Sequence, residues 1–416
     1  MVRSKLKILS FLVCTFFSGL AADTSQGIFH PDFRTLVVEK DGDFMAPPII
    51  RLGSGEQIVI SFDEIGDDWS RLQYRLVHCN ADWQPSRLIE AEFVDGFNFA
   101  DIEDYAFSGN TFTSYTNYRF AIPSDDMWIL ASGNYAVEVY SPENPDEVIL
   151  RARFQVSEDT AFVDGMVTPR TDFGYNSEWQ QVNLALNVAG KEINPYQDII
   201  ISVMQNRRPD TEVFVTHPLR AEDGKVIYEH NPNLIFPASN EYRRFETVRE
   251  DYPGMGIDKV DFHNRSYQAW VKTDTERVEH EYSYDQTQKG RFKIDSYNAT
   301  DPDLGSDYIQ VHFTLDYPQL INGSIYINGD FTSNRYDEAY RMQYDPEARL
   351  YTLSLPLKQG SYNYQYVAVK EGDPKGSTAL IEGNKYETGN EYDVSVYYRS
   401  PTGRADRLIG RIVIYQ

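Results

Sequence analysis

The stretch His78-Cys79-Asn80-Ala81-Asp82-Trp83 brings an imidazole, a thiol and a carboxylate close together, the side-chain types from which nucleophilic pairs and metal sites are built. A Cys/His nucleophile needs both side chains in hydrogen-bond reach, so that the imidazole can draw off the thiol proton. The stretch closes the run RLQYRLVHC, whose alternation puts Tyr74, Leu76 and His78 on one strand face and Arg75, Val77 and Cys79 on the other. Adjacent strand residues point apart, so His78 and Cys79 do not form a dyad. A structural zinc site needs further thiolates or imidazoles, and Cys14 is the only other cysteine. The stretch is expected to be a turn. Asn80 to Ser86 make the loop, Trp83 packs on it or stands out as an anchor, and Cys79 is a small buried apolar group.

The remaining histidines, at 30, 217, 230, 263, 280 and 312, form no HExxH pair. There is no GxSxG elbow, no GxxxxGK[ST] loop and no GxGxxG after a strand. Asp301, Asp303 and Asp307 have a calcium-loop spacing, yet the central glycine and the terminal glutamate are missing, so NATDPDLGSD at 298–307 is expected to be a solvated linker. Asp95-Gly96-Phe97 and Pro253-Gly254-Met255-Gly256 read as turns. Paired carboxylates are too common in so acidic a chain to mark a glycosidase. No catalytic, cofactor-binding or metal residue is assigned, and the chain is not expected to be an enzyme.

Such a chain must act through surfaces. Its 30 tyrosines, 23 phenylalanines and frequent Gly, Pro, Asn and Asp predict an all-β protein of tandem immunoglobulin-like β-sandwich modules. Short alternating runs (EQIVISFDE, GNYAVEVYS, ILRARFQV) define a first module over 22–157. QQVNLALNVAG, DIIISVMQN and YQAWVKT define a middle module over 158–298. DYIQVHFTL, GSYNYQYVAV, YDVSVYYRS and RLIGRIVIYQ define a third over 299–416.

Residues 1–21 have the form of a cleavable secretory signal: Arg3, Lys5 and Lys7, an apolar run from Ile8 to Phe17, then Gly19-Leu20-Ala21. Val13 is not the small residue that lipidation at Cys14 would want. No later stretch is long and apolar enough to span a bilayer. Removing the leader takes three cations from a formal net charge of −24, leaving about −27, so nucleic acid is excluded as a partner. An exported acidic protein remains, with a protein, a glycan or a small molecule as its partner.

Several long blocks carry a family resemblance. LGSGEQIVISFDEI, YRLVHCNADWQPSRL, FVDGFNFADIEDYAFSGNTFTSYTNYRFAIP and SGNYAVEVY, in that order over about residues 33–156, resemble the plug-protein domain of the type IX secretion system. IYINGDFTS and MQYDPEARLYTLSLPLKQGSYNYQYVAV resemble the early-set, glycogen-binding-like sandwiches. Sugar-binding members usually carry a stacking tryptophan shortly after the Gly-Asp-Phe turn, whereas here Thr332, Ser333 and Asn334 follow Gly329-Asp330-Phe331. That second resemblance therefore implies the fold alone.

The plug resemblance implies a non-enzymatic periplasmic subunit that blocks the periplasmic mouth of the outer-membrane translocon barrel, called SprA. It would be peripheral to that membrane, held by protein contacts. Loop aromatics are the candidate contacts: Trp83, Phe97, Phe99 and Tyr115, against the plainer reading that they pack loops or core. The alternative is a glycan-binding accessory protein of an outer-membrane uptake system, which would need exposed tryptophans on the third module.

Overall fold

A computed structural model of the protein describes residues 23–41, 43–188 and 193–416. The expected leader, with Cys14, lies outside them. The described chain is all-β, with two four-residue α-helices, Glu90–Phe93 and Pro302–Gly305. It forms three β-sandwiches, each with its own core.

In the first sandwich, Gly27–Ile28, Asn144–Ser157, Gly133–Ser141, Gln73–Cys79 and Ala100–Asp101 form one sheet in that order. Phe33–Lys40, Ile58–Ile65, Tyr115–Ile122 and Asp104–Phe107 form the other. Alternation sends Ile58, Ile60 and Phe62 inward to meet Leu76, Tyr135 and Val137. All six are buried, and the aliphatic ones contribute about 1.5–3 kcal/mol each by leaving water.

The second sandwich departs from the expected partition. One sheet comprises Phe162–Thr168, Trp179–Asn187, Lys225–Tyr228 and Arg220–Glu222, with Ile235–Pro237 beside Trp179–Asn187. The facing sheet runs Val213–Val215, Ile199–Gln205, Glu391–Arg399, Asp406–Tyr415, so the chain's last two strands close a sandwich begun near residue 160. Ile201 lies opposite Val396, and Tyr392, Val394 and Val396 fill the same core as Val182, Leu184 and Leu186.

The third sandwich is therefore inserted between strands of the second. Its cluster runs from Phe245 to Ile381, crossing the boundary expected at 298/299. The reason is physical: YDVSVYYR alternates in the same way whichever sheet it joins, and alternation chooses a face without choosing a partner strand. The expected linker is solvated only in its first half, with Asn298, Thr300 and Asp301 exposed, and its end is docked. Asp301 caps Pro302–Gly305 by accepting from the Asp303 N–H at 3.0 Å, and Asp307 is buried against the first sandwich, accepting from Phe112 N at 2.7 Å and Thr113 N at 3.0 Å.

Candidate partner-binding surface

The His78–Trp83 stretch is a joint between the first two sandwiches. His78 turns into the first core, its Nε2 at 3.1 Å from Ser132 O, its Nδ1 at 2.9 Å from Ser86 Oγ, and its ring edge-on to Tyr135. Burial lowers its pKa, which keeps the ring neutral. Cys79 lies on the opposite face, fully buried, with its thiol pushed up to about 11 by burial, far from a reactive thiolate. The turn beyond docks on the last strand. Ala81 N donates to Asp406 Oδ2 and Asp406 N donates to Asn80 Oδ1, both at 3.1 Å, while Ala81 packs with Ile49, Ile200, Tyr397 and Leu408. Trp83 has a positive φ of 61°, is half-buried, and lies under the Arg153 guanidinium, 4.3 Å from its ring centroid. Its indole is committed to a cation–π contact inside the molecule.

Tyr115 must be withdrawn as a surface contact. It is buried where the first and third sandwiches meet, its hydroxyl donating to Ser306 O at 2.8 Å and Asp303 O at 3.1 Å. Lys358 Nζ sits 4.1 Å above its ring and pairs with Asp63 at 2.7 Å, both charged side chains being sealed from water. Tyr308 donates to the same Asp63 carboxylate at 2.6 Å. A loop tyrosine thus serves as an internal strut, because its ring and its hydroxyl are both satisfied there.

Phe97 and Phe99 stand in solvent, 73% and 51% exposed, with ring centroids 5.7 Å apart. Their loop is pinned rather than loose. Asn98 Nδ2 donates to Leu76 O at 2.9 Å and Asn98 Oδ1 accepts from Leu76 N at 3.0 Å, so the amide of the residue between them is paired to a central strand. Val94–Gly96 pairs antiparallel with Met127–Ile129, Asp95 opposite Trp128. Trp128 and Asp95 therefore share a face of this ribbon, and Phe97 follows directly beyond its Gly96 end. Trp128 is half exposed, and Leu130 and Ile89 at the ribbon's end are exposed too. Gly96 is required here: its φ is 104°, and a Cβ would lie 2.2 Å from Asp126 O. The patch is apolar and set among acids, including Glu90, Asp95 and Asp126. Trp128, Leu130 and Ile89 were missed in the sequence because they sit in unbroken apolar runs, Met127-Trp128-Ile129-Leu130 and Leu88-Ile89, where no polar residue marks which members face outward.

Among the described residues no group of three or more His, Cys, Asp or Glu side chains is placed to hold a metal ion. No described helix is long and apolar enough to cross a membrane.

Fold and surface together define a scaffold of three jointed β-sandwiches that displays a rigid apolar ribbon. Residues 33–158 match the family model for the type 9 secretion system plug protein 1st domain. A crystal structure of a hypothetical protein from Parabacteroides merdae is 41% identical and superposes with a TM-score of 0.93, over 94% of this chain and 99% of that one. The B domain of a biofilm associated protein aligns over 94% of this chain and 87% of its own at 9% identity, with a TM-score of 0.21 that carries no argument. No curated protein matches the chain. Residues 33–158 belong to the type 9 secretion system plug protein 1st domain family, a family of secretion-system components and not a known enzyme family.

Proposed function

We propose that the protein is a periplasmic subunit of the type IX secretion system that closes the periplasmic mouth of the outer-membrane translocon barrel, docking through the ribbon of Phe97, Phe99 and Trp128. The observation that carries this reading is the location of the ribbon: an exposed, pinned aromatic patch within the residues that match the family's first domain. Large exposed aromatics on a soluble scaffold cost solvation unless a partner covers them, and aromatic residues are enriched at the centres of interfaces. A seal must also reopen. A small aromatic centre with an acidic rim suits reversible contact better than a broad dry interface does. Buried inter-module contacts keep the patch in a fixed orientation, which lowers the entropic cost of docking.

The glycan-binding alternative draws no support from the third sandwich. At its Gly-Asp-Phe turn, Phe331 packs edge-on against Tyr362 in the core and is not offered to a sugar.

The test is capture of tagged protein from native outer membranes, followed by mass spectrometry, with wild type beside the Phe97→Ser/Trp128→Ser double variant. Wild type is expected to recover a very large outer-membrane barrel and the variant to lose it. Equal recovery by both would remove the ribbon as the contact, and recovery of no barrel by either would remove the plug reading.

A further inference from the structure

A cavity of about 580 Å³ lies where the three sandwiches meet. That volume is within the roughly 300–1,000 Å³ typical of ligand pockets. One wall is the strand Phe33–Lys40, another is the outer face of the sheet that holds Ile199–Gln205 and Glu391–Arg399, and the third includes Arg291 and Asp330.

The outer face of that sheet carries an acid that packing does not explain. Tyr392, Val394 and Val396 enter the second core, so alternation turns Asp393 and Ser395 toward the cavity, which both of them line. Asp393 is 8% exposed, and neither of its carboxylate oxygens has a hydrogen-bond partner within the protein. Buried carboxylates are ordinarily supplied with donors, because a desolvated, unpaired charge is costly.

The cations nearby are held mainly by Glu391 and by backbone carbonyls, although the Nε of both Arg207 and Arg291 has no hydrogen-bond partner and neither reaches Asp393. Arg291 Nη2 hydrogen-bonds Glu391, and Arg207 Nε lies 3.6 Å from the same carboxylate. Arg291 Nη1 donates to Gln288 O at 2.9 Å and Arg207 Nη2 to Met45 O at 2.7 Å. Glu391, Asp393 and Asp330 thus share two guanidinium groups, and the cluster is one positive charge short. Burial and the neighbouring Glu391 raise Asp393 to about 6, as expected of a carboxylate without its own cation. A metal does not fit the gap, since no described group of three acidic, His or Cys ligands is assembled.

The opposite wall supplies apolar surface and an open backbone. Phe33–Lys40 is an edge strand whose described ladder partner is Ile58–Ile65 alone, and its Leu36, Val37 and Val38 line the cavity beside Phe44. An unpaired strand edge is a template for an added strand. The missing cation, the apolar wall and the open edge describe one kind of occupant.

We propose that this cavity binds a short extended peptide segment bearing a lysine or arginine, whose charged group is taken by Asp393 while its backbone lies along the Phe33–Lys40 edge. The site is separate from the Phe97–Trp128 ribbon and stands whether or not the protein closes a barrel.

The test is binding of a positional-scanning library of acetylated tetrapeptide amides to the purified protein, with retained peptides read by mass spectrometry. Lysine or arginine is expected to be enriched at one position, and the enrichment to disappear in Asp393→Asn. A charge-assisted hydrogen bond in a dry site is worth enough that changing the basic residue of the best peptide to norleucine should weaken its Kd about tenfold or more by calorimetry. This comparison needs no protein variant, so a folding defect in Asp393→Asn cannot obscure it. Four results would overturn the proposal: no retained peptide, retention without basic preference, equal binding of the norleucine peptide, or unchanged selectivity in a folded Asp393→Asn. In the first case, water alone satisfies the cluster.

Discussion

The joints between the sandwiches and the displayed ribbon are both rich in aromatic residues, yet they use different ones. At the joints the buried rings are tyrosines: Tyr115 and Tyr308 between the first and third sandwiches, and Tyr397 between the first and second, where its hydroxyl donates to Asn134 Oδ1 at 2.7 Å. Trp83 and the Phe112–Phe262 pair also meet there but stay partly exposed. The ribbon instead shows Phe97, Phe99 and Trp128 to solvent. A tyrosine can cross a polar module boundary because its hydroxyl pays for its own desolvation, whereas a phenylalanine left outside gains nothing until a partner arrives. The hydroxyl separates the aromatics sealed inside the joints from those of the ribbon that remain available to another molecule.

The largest effect that would break this comparison is at the buried ion pair. Lys358→Met leaves Asp63 without its cation between the first and third sandwiches, and loss of about 3–5 kcal/mol in urea unfolding is expected. A loss under about 1 kcal/mol would mean that Tyr308 and Asn117 suffice to hold Asp63, and that the joint is not electrostatically locked.

Next is a pH effect confined to the buried region. Burial raises Glu212, on the wall of the three-module cavity, to about 6 from an ordinary 4.5. Its folded form therefore holds the proton more tightly than the unfolded chain does. The stability this contributes is fully present below pH 4.5 and is lost as pH rises through 6, by about 2 kcal/mol. Urea midpoints of wild type should show that decline beyond what Glu212→Gln shows, and parallel profiles would place the titration elsewhere.

Tyr115→Phe keeps the ring under Lys358 and removes only the hydroxyl from Ser306 O and Asp303 O, so about 1–2 kcal/mol should be lost. Thermal melting without a measurable shift would show that the strut acts through its ring alone. The smallest stability change belongs to the ribbon. Phe97→Ser should leave the melting transition within about 0.5 kcal/mol of wild type while weakening capture of the partner. Substantial destabilisation would make Phe97 a packing residue and erase the contrast with Tyr115.

Parts of this organisation were legible before folding. Alternation in RLQYRLVHC put His78 and Cys79 on opposite faces, and they lie there, one in the first core and the other behind it. Phe97 and Phe99 were singled out as loop aromatics and are exposed, while Tyr115 and Trp83, chosen on the same grounds, are buried and half-buried. Nothing local separates the two outcomes. Tyr115 is covered by Lys358 and by the carbonyl of Ser306, both far away in the chain.

The sequence by itself determined the all-β class, which faces of each strand are apolar, and the family to which residues 33–158 are similar, because all three are written in short-range order: a period of two, turn residues at strand ends, and rare residues in fixed blocks. Only the tertiary structure decided that Glu391–Arg399 and Asp406–Tyr415 close the second sandwich around an inserted third, that Asn80 and Asp406 form a joint, and that Asp393 faces a cavity with neither carboxylate oxygen hydrogen-bonded. Each of these depends on which distant surface arrives opposite a residue, and burial, pairing and charge balance are properties of that meeting rather than of either strand alone.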